Sequence, residues 1–311
     1  MDKVLITGGA GFIGSNLTGS LLKQGYGVVA YDNLLTGKRE NLLEYESNEN
    51  FTFVEGDILD FKKLSEEIAD AKYVLHQAAL PSVARSVKDP RRTNRVNIEG
   101  TLNVLTAAKD GSAKRVVLAS SSSVYGDTPE LPKREDMTYN PLSPYAVTKV
   151  TKELYSGVFS QLYKFPVACL RYFNVYGPKQ DPKSEYAAVI PKFITSALKD
   201  EPLTIEGDGL QTRDFTYIED VVQANIKAMK GHTAGNFNIA YGENISIKGL
   251  AEKIVTLISS SSEIVHKAPR PGDIRDSLAD ITKAKSELGY NPEYSLDMGL
   301  KKTIEWFRNR I

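Results

Sequence analysis

Apolar residues along this chain fall into two alternating rhythms. Short, nearly unbroken runs at residues 3–7, 27–31, 51–54, 72–76, 115–119 and 167–172 are separated by longer stretches in which apolar positions recur every three or four residues. Continuous runs of that length predict strands buried on both faces, and the longer rhythm predicts helices packed over them. Leu17, Leu21 and Leu22 mark the first helix, and Ile98, Leu102 and Leu105 mark another over residues 97–108. A further helix starts at Pro144, a residue suited to the first helical turn, and continues through Tyr155 and Phe159. Six strands alternating with helices predict an α/β fold: a Rossmann-type doubly wound parallel sheet with one crevice where the strand order reverses.

Beyond residue 177 the rhythm weakens. Helices are predicted at 187–198, 217–229, 247–258 and 296–308, with a short strand at 236–239, a turn at Gly207-Asp208-Gly209, and loops at 259–262 and 269–273. The expected division is a dinucleotide-binding domain over 1–177, with return segments near 213–240, and a smaller α/β cap over 178–311 that binds substrate.

The dinucleotide expectation comes from the turn after the first strand, Gly8-Gly9-Ala10-Gly11-Phe12-Ile13-Gly14. Small residues admit a diphosphate close to the backbone, and the helix that follows offers unsatisfied N–H groups and a positive dipole end. Asp32 ends the second strand, 18 residues beyond Gly14. An acid there accepts hydrogen bonds from a ribose diol and repels a 2′-phosphate, which favours NAD over NADP. Lys38 and Arg39 follow closely and bear on that preference, although solvated loop charges are their simpler reading. Asp57 and Ile58 stand where an adenine would be bonded and covered, and Gln77-Ala78-Ala79 offer small residues to the cofactor. His76 reads as a packed strand residue.

Of 16 tyrosines, Tyr145 is the one followed by lysine four residues later, at Lys149. Four residues is about one helical turn, so the two side chains share a face. A phenol serves as a base near neutral pH only when a cation stabilises its phenolate. The cluster Ser120-Ser121-Ser122-Ser123 falls at the carboxyl end of a predicted strand, the edge where open parallel sheets bind ligands. Arg85, in the basic segment 82–95, is the one cation there singled out for a substrate contact.

Composition narrows the choice. With 41% hydrophobic and 25% charged residues in 311, the chain matches ordinary globular proteins. A formal net charge of zero gives no electrostatic case for nucleic acid or an anionic membrane. The single Cys169 excludes an internal disulfide, and His76, His232 and His266 form no metal-ligand spacing, so metal catalysis is not expected. No secretory leader or membrane span is predicted, and the expected location is cytoplasmic.

Taken in order, the glycine turn, Asp32, Asp57-Ile58, residues 76–79, the serines before Val124-Tyr125-Gly126, Tyr145 with Lys149, Arg171-Tyr172-Phe173-Asn174 and Arg213-Asp214 resemble the extended short-chain dehydrogenase/reductases that act on nucleotide sugars. The resemblance spans nearly the whole chain. Gln180-Asp181-Pro182, residues 186–191 and residues 275–280 make it most similar to bacterial UDP-N-acetylglucosamine 4-epimerases of polysaccharide biosynthesis. That likeness implies Tyr145 as base, Lys149 as its electrostatic partner and Ser121 as hydrogen-bond relay. It adds Asn33, Asn97 and Tyr172 to the NAD contacts. It implies Ser82, Ser121, Ser123 and Tyr145 near the sugar, and Asn174, Val189, Arg213, Arg270 and Asp273 on the UDP. It also implies a homodimer paired through helices starting near Asn97 and Tyr145.

Departures from related patterns sharpen the choice. Related dehydratases carry an acid pair where this chain has Ser122 and Ser123, and UDP-glucuronate decarboxylases usually carry glutamate in place of Ser123. Epimerases restricted to plain sugars carry a bulky aromatic where Ser277 stands, and serine leaves room for an N-acetyl group. Three other readings stay open: a 4-epimerase of UDP-uronic acids with Arg85 over C6, a dehydrogenase that releases its cofactor, and a non-catalytic NAD-sensing binding module.

Overall fold

A computed structural model describes residues 1–182, 188–269 and 274–310 of the chain. Through residue 172 it alternates strand and helix. The strands are β1 (Lys3–Thr7), β2 (Gly27–Asp32), β3 (Phe51–Glu55), β4 (Tyr73–His76), β5 (Arg115–Ser121) and β6 (Val167–Tyr172). The helices are α1 (Phe12–Lys23), α2 (Phe61–Ile68), α3 (Val83–Lys88), α4 (Pro90–Asn94), α5 (Gly100–Asp110) and α6 (Pro144–Leu162). Then come β7 (Val175–Tyr176), α7 (Val189–Ala197), β8 (Leu203–Glu206), β9 (Thr212–Asp214), β10 (Thr216–Tyr217), α8 (Ile218–Lys230), β11 (Gly235–Ile239), β12 (Asn244–Ser246), α9 (Ile247–Ile258), β13 (Ile264–Lys267), α10 (Thr282–Leu288) and α11 (Leu296–Arg308).

Among the described residues the main sheet has seven strands, in the order β11-β6-β5-β4-β1-β2-β3, all paired in parallel. The order reverses between β1 and β4, which opens a crevice at the carboxyl ends. Residues of β2 and β6 are buried throughout, as expected for strands covered on both faces. Helices α1 and α8 pack on one face, and α2, α5 and α6 on the other. The smaller part packs α7, α9 and α11 together with the pairs β8–β13 and β9–β12.

Besides adding the short strands β7, β8, β9, β10, β12 and β13, the structure departs from the sequence reading at two places. Strand β5 runs on through Ser120 and Ser121, because both pair with β6 opposite Arg171 and Tyr172. The helix expected over 97–108 is preceded by a π-helical turn, Arg95–Glu99, that joins α4 to α5. The expected strand near 236, within the return segments 213–240, is the seventh strand of the main sheet, beside β6.

Helix α6 buries polar residues and exposes apolar ones. Lys149, Lys152, Glu153 and Ser156 face inward, while Val147, Leu154, Val158 and Leu162 are exposed. Each buried charge therefore needs a partner. Glu153 meets Arg171 of β6, Oε2 to Nη2 2.7 Å, with both side chains no more than 1% exposed. Arg171 also donates to the Tyr125 hydroxyl at 2.6 Å, and Tyr125 donates to Asn238 at 2.6 Å. One network thus ties α6, β6 and β11 together. Removing one member of a buried ion pair leaves the other uncompensated, so Arg171→Met is expected to lower unfolding free energy by about 3–5 kcal/mol in urea titration. Arg171→Met combined with Glu153→Leu is expected to cost less than the single change.

Candidate functional site

A cavity of about 840 Å³ lies at the carboxyl ends of the strands. At one end the chain turns from β1 into α1. Gly8 takes φ +70°, a left-handed conformation that glycine adopts without strain, and its N–H donates to the Tyr31 carbonyl at 2.8 Å. A Cβ on Gly14 would fall 2.1 Å from the Gly8 carbonyl oxygen. The turn is therefore packed against its own helix, and α1 begins with no side-chain cap, which leaves N–H groups for an anion. Gly8, Gly11, Phe12, Ile13 and Gly14 all line the cavity.

Asp32 lines it as well. Its Oδ2 accepts from the Ala10 N–H at 3.0 Å and its Oδ1 from the Leu34 N–H at 2.8 Å. Burial pushes its carboxyl pKa up, and those two donors oppose the shift. Asn33, Ile58, Gln77, Ala78, Ala79 and Tyr172 complete this lining. Asp57 stands behind it, bonded to Asn33 at 3.0 Å. Asn97 is off the cavity: its buried amide is committed to both backbone groups of Leu80 and to Thr148. Its place in the structure is that of a staple between the cavity wall and α6. The glycine cradle, the open helix end and a carboxylate held by backbone fit an adenine dinucleotide.

Toward the middle of the cavity lie Ser121, Tyr145 and Lys149. Ser143 caps α6 by accepting from the Ala146 N–H at 3.1 Å, so Tyr145 sits in the first turn. Lys149 is 3% exposed; its Nζ donates to the Ala119 carbonyl at 2.8 Å and lies 5.4 Å from the centre of the Tyr145 ring. An ammonium there favours negative charge on the phenol oxygen as a proton leaves. Ser121, the last residue of β5, accepts from the Ser123 N–H at 3.2 Å. The Ser123 hydroxyl is buried with no hydrogen-bond partner among the described residues. Ser82 caps α3 and takes φ +95°, unusual for serine, beside the lining residues Pro81 and Arg85. His76 is buried between Thr7 and Thr101, at 2.6 and 2.9 Å, and burial pushes its pKa well down, as befits a neutral packing residue.

A second cavity, of about 260 Å³, adjoins the first at Asn174 and Val175. Val189 and Arg213 line it, together with Thr204, Glu206, Gln211 and Phe215, none of which the sequence singled out. Their signal is faint: β8 and β9 are short, and their residues converge only through pairing with β13 and β12. Arg270 and Asp273 lie outside the described residues. Ser277 lines neither cavity; it is 8% exposed, in a segment pinned by the Lys133–Leu278 and Asp280–Lys133 backbone bonds. Asp214 clasps the neighbouring loops, accepting from the N–H groups of Tyr241, Gly242 and Ala279, and burial pushes its pKa up to about 7 against those donors. Among the described residues no cluster of three or more His, Cys, Asp or Glu side chains could hold a metal, and no helix is long and apolar enough to cross a membrane.

A family profile described as GDP-mannose 4,6 dehydratase matches residues 5–303. The chain is 41% identical to a UDP-glucose 4-epimerase of Mycolicibacterium smegmatis, over 99% of each chain. It superposes with TM-score 0.96 and 40% identity on a UDP-N-acetylglucosamine 4-epimerase from Methanobrevibacter ruminantium solved with UDP-N-acetylmuramic acid, covering 100% of this chain and 99% of that one. A UDP-glucuronic acid 4-epimerase from Bacillus cereus, solved with UDP-glucuronic acid and NAD, gives TM-score 0.91 and 36% identity over 99% of each chain.

Gly14→Ala tests the cradle. The added methyl would press on the Gly8 carbonyl, with an overpacking cost of about 1–3 kcal/mol. The expected outcome is a lower Tm together with loss of bound adenine dinucleotide from the purified protein, measured by release and chromatography.

Proposed function

The chain belongs to the extended short-chain dehydrogenase/reductase family, and on that premise we propose that it is an NAD-dependent 4-epimerase interconverting UDP-N-acetylglucosamine and UDP-N-acetylgalactosamine, accepting UDP-glucose and UDP-galactose as well. The observation that carries the proposal is Lys149, fixed on the Ala119 carbonyl beside Tyr145 in the cavity that also holds the glycine cradle and Asp32. The relatives solved or named as UDP-sugar 4-epimerases support 4-epimerisation of a UDP-sugar.

Gly8, Gly11 to Gly14, Asp32 and Lys149 would hold NAD. The chemistry it supplies when bound is reversible hydride acceptance from a carbinol carbon. Tyr145 takes the proton of the sugar 4-hydroxyl, and Ser121 hydrogen-bonds the same oxygen. Lys149 favours the phenolate that Tyr145 presents before it takes that proton and regains when it gives the proton back. The 4-keto sugar then turns about its bond to the diphosphate and presents its other face, and Tyr145 returns the proton. Tyr145 thus acts as base and then as acid in one turnover, with no net oxidation. Arg213 lines the second cavity and suits a diphosphate through paired N–H donors, and Arg270 and Asp273 join it in this proposal. Ser277 is proposed to set room for the N-acetyl group.

One observation favours a second reading. Arg85 lines the cavity with Tyr145, and a guanidinium there suits a sugar carboxylate, as a UDP-uronic acid 4-epimerase needs. A non-catalytic dinucleotide sensor would have no use for the Tyr145, Lys149 and Ser121 set. A homodimer is proposed from the exposed apolar stripe of α6, where Leu154 is 56% and Leu162 71% exposed. The cytoplasm is the proposed setting.

Incubation with UDP-N-acetylglucosamine is expected to give UDP-N-acetylgalactosamine by NMR; turnover of UDP-glucuronic acid alone would select the second reading. Tyr145→Phe is expected to lower kcat by about 10²–10⁴-fold, and full turnover in that variant would refute the catalytic role given to Tyr145. Ser277→Tyr is expected to lose acetylated sugars and keep plain ones. Leu154→Glu is expected to turn a dimer into a monomer by light scattering.

A further inference from the structure

Two cations follow Asp32 in the chain, and each is met by an acid: Arg39 by Glu46 of the same loop and Lys38 by Asp181 of a distant segment. Gly37 lies directly against the Asp32 carboxylate, since a Cβ built there would fall 2.8 Å from Oδ2 and 2.9 Å from Oδ1. Lys38 comes next, its N–H donating to the Ala10 carbonyl at 3.0 Å. Its side chain therefore starts one residue from the acid that suits the adenosine ribose. The Lys38 ammonium is engaged by Asp181, Nζ to Oδ2 2.8 Å, and both residues line the main cavity. Arg39 is turned away, bonded to Glu46 at 2.7 Å and lying 3.9 Å over the Phe53 ring.

Asp181 reaches Lys38 because its segment is anchored. Lys179, 11% exposed at its side chain, donates to the Asn41 carbonyl at 2.9 Å and the Tyr45 hydroxyl at 3.1 Å, and pairs with Glu44 at 2.7 Å. Asn16 of α1 donates to the Pro178 carbonyl at 3.2 Å. Residues 178–181 are thus laid across the loop that follows β2.

NADP differs from NAD by one phosphate on the adenosine 2′-oxygen, and a site that accepts it supplies a cation near the acid's position. Lys38 is such a cation by position. We infer that Asp181 is a cofactor-selecting residue: by holding Lys38 it withholds from a 2′-phosphate the cation that would bind it. The inference rests on the dinucleotide reading above. Selection for NAD then has two parts, repulsion by Asp32 and neutralisation of Lys38 by an acid from the substrate-side half of the chain.

The test is competition. The purified protein is exchanged against equimolar NAD and NADP at low ionic strength, and the bound dinucleotides are released and quantified. Asp181→Asn is expected to raise the bound NADP:NAD ratio about tenfold, the worth of one charge-assisted contact. Asp32 remains in that variant, so the preference narrows without inverting. The gain is expected to vanish in D181N/K38M and to shrink at high salt, where the exposed charge is screened. Lys38→Met alone is expected to leave the parent ratio, because Asp181 already occupies that cation. An unchanged ratio in Asp181→Asn, or a gain that survives in D181N/K38M, overturns the inference while leaving NAD binding intact. A protein that binds neither dinucleotide overturns the cofactor reading and this inference with it.

Discussion

A helix that must bury charge governs this molecule. Helix α6 turns Lys149, Lys152 and Glu153 toward the sheet, and moving an ion out of water costs several kcal/mol unless it finds a partner. Glu153 finds Arg171 of β6, and Lys149 finds the Ala119 carbonyl of β5. Lys152 meets His76 at 3.3 Å, and burial drives the pKa of both groups well down. Each partner lies on a specific strand, so satisfying the three fixes the helix in register and rotation against β4, β5 and β6.

The site is a consequence of that docking. With Lys149 held at β5, Tyr145 one turn earlier lines the same cavity as Ser121 at the strand's carboxyl end, in the crevice where strand order reverses. Asn97 and Thr148 bolt the adjacent wall to the same helix, and the Arg171 network extends the hold to β11 through Tyr125 and Asn238. The same rotation leaves Val147, Leu154, Val158 and Leu162 outside. Inward chemistry and an outward apolar face are two sides of one arrangement.

Much of this was legible in the chain. Buried parallel strands announce themselves as continuous apolar runs, and the glycine turn, Asp32 and the Tyr145–Lys149 spacing each carry a local reason for their place. What escaped was non-local. Periodicity alone turns the apolar stripe of α6 inward, because nothing in a single helix reveals that Glu153 and Lys152 have partners 18 and 76 residues away. The apolar run ends strand β5 at Ala119, because the strand character of Ser120 and Ser121 depends on pairing with Arg171 and Tyr172. Thr204, Glu206, Gln211 and Phe215 meet only once short strands pair, and Lys38 looked solvated because Asp181 lies 143 residues along the chain.

The central claim is that Tyr145 moves a proton while the hydrogen on the sugar's C4 leaves and returns within one closed site. Turnover of UDP-N-acetylglucosamine in deuterium oxide, followed by NMR at C4 of the product, tests it most directly. Hydride transfer predicts inverted product that carries its original hydrogen at C4. Deuterium at C4 would mean that the centre inverts by proton exchange with solvent, and would contradict the role given to the cradle, Tyr145 and Lys149 together.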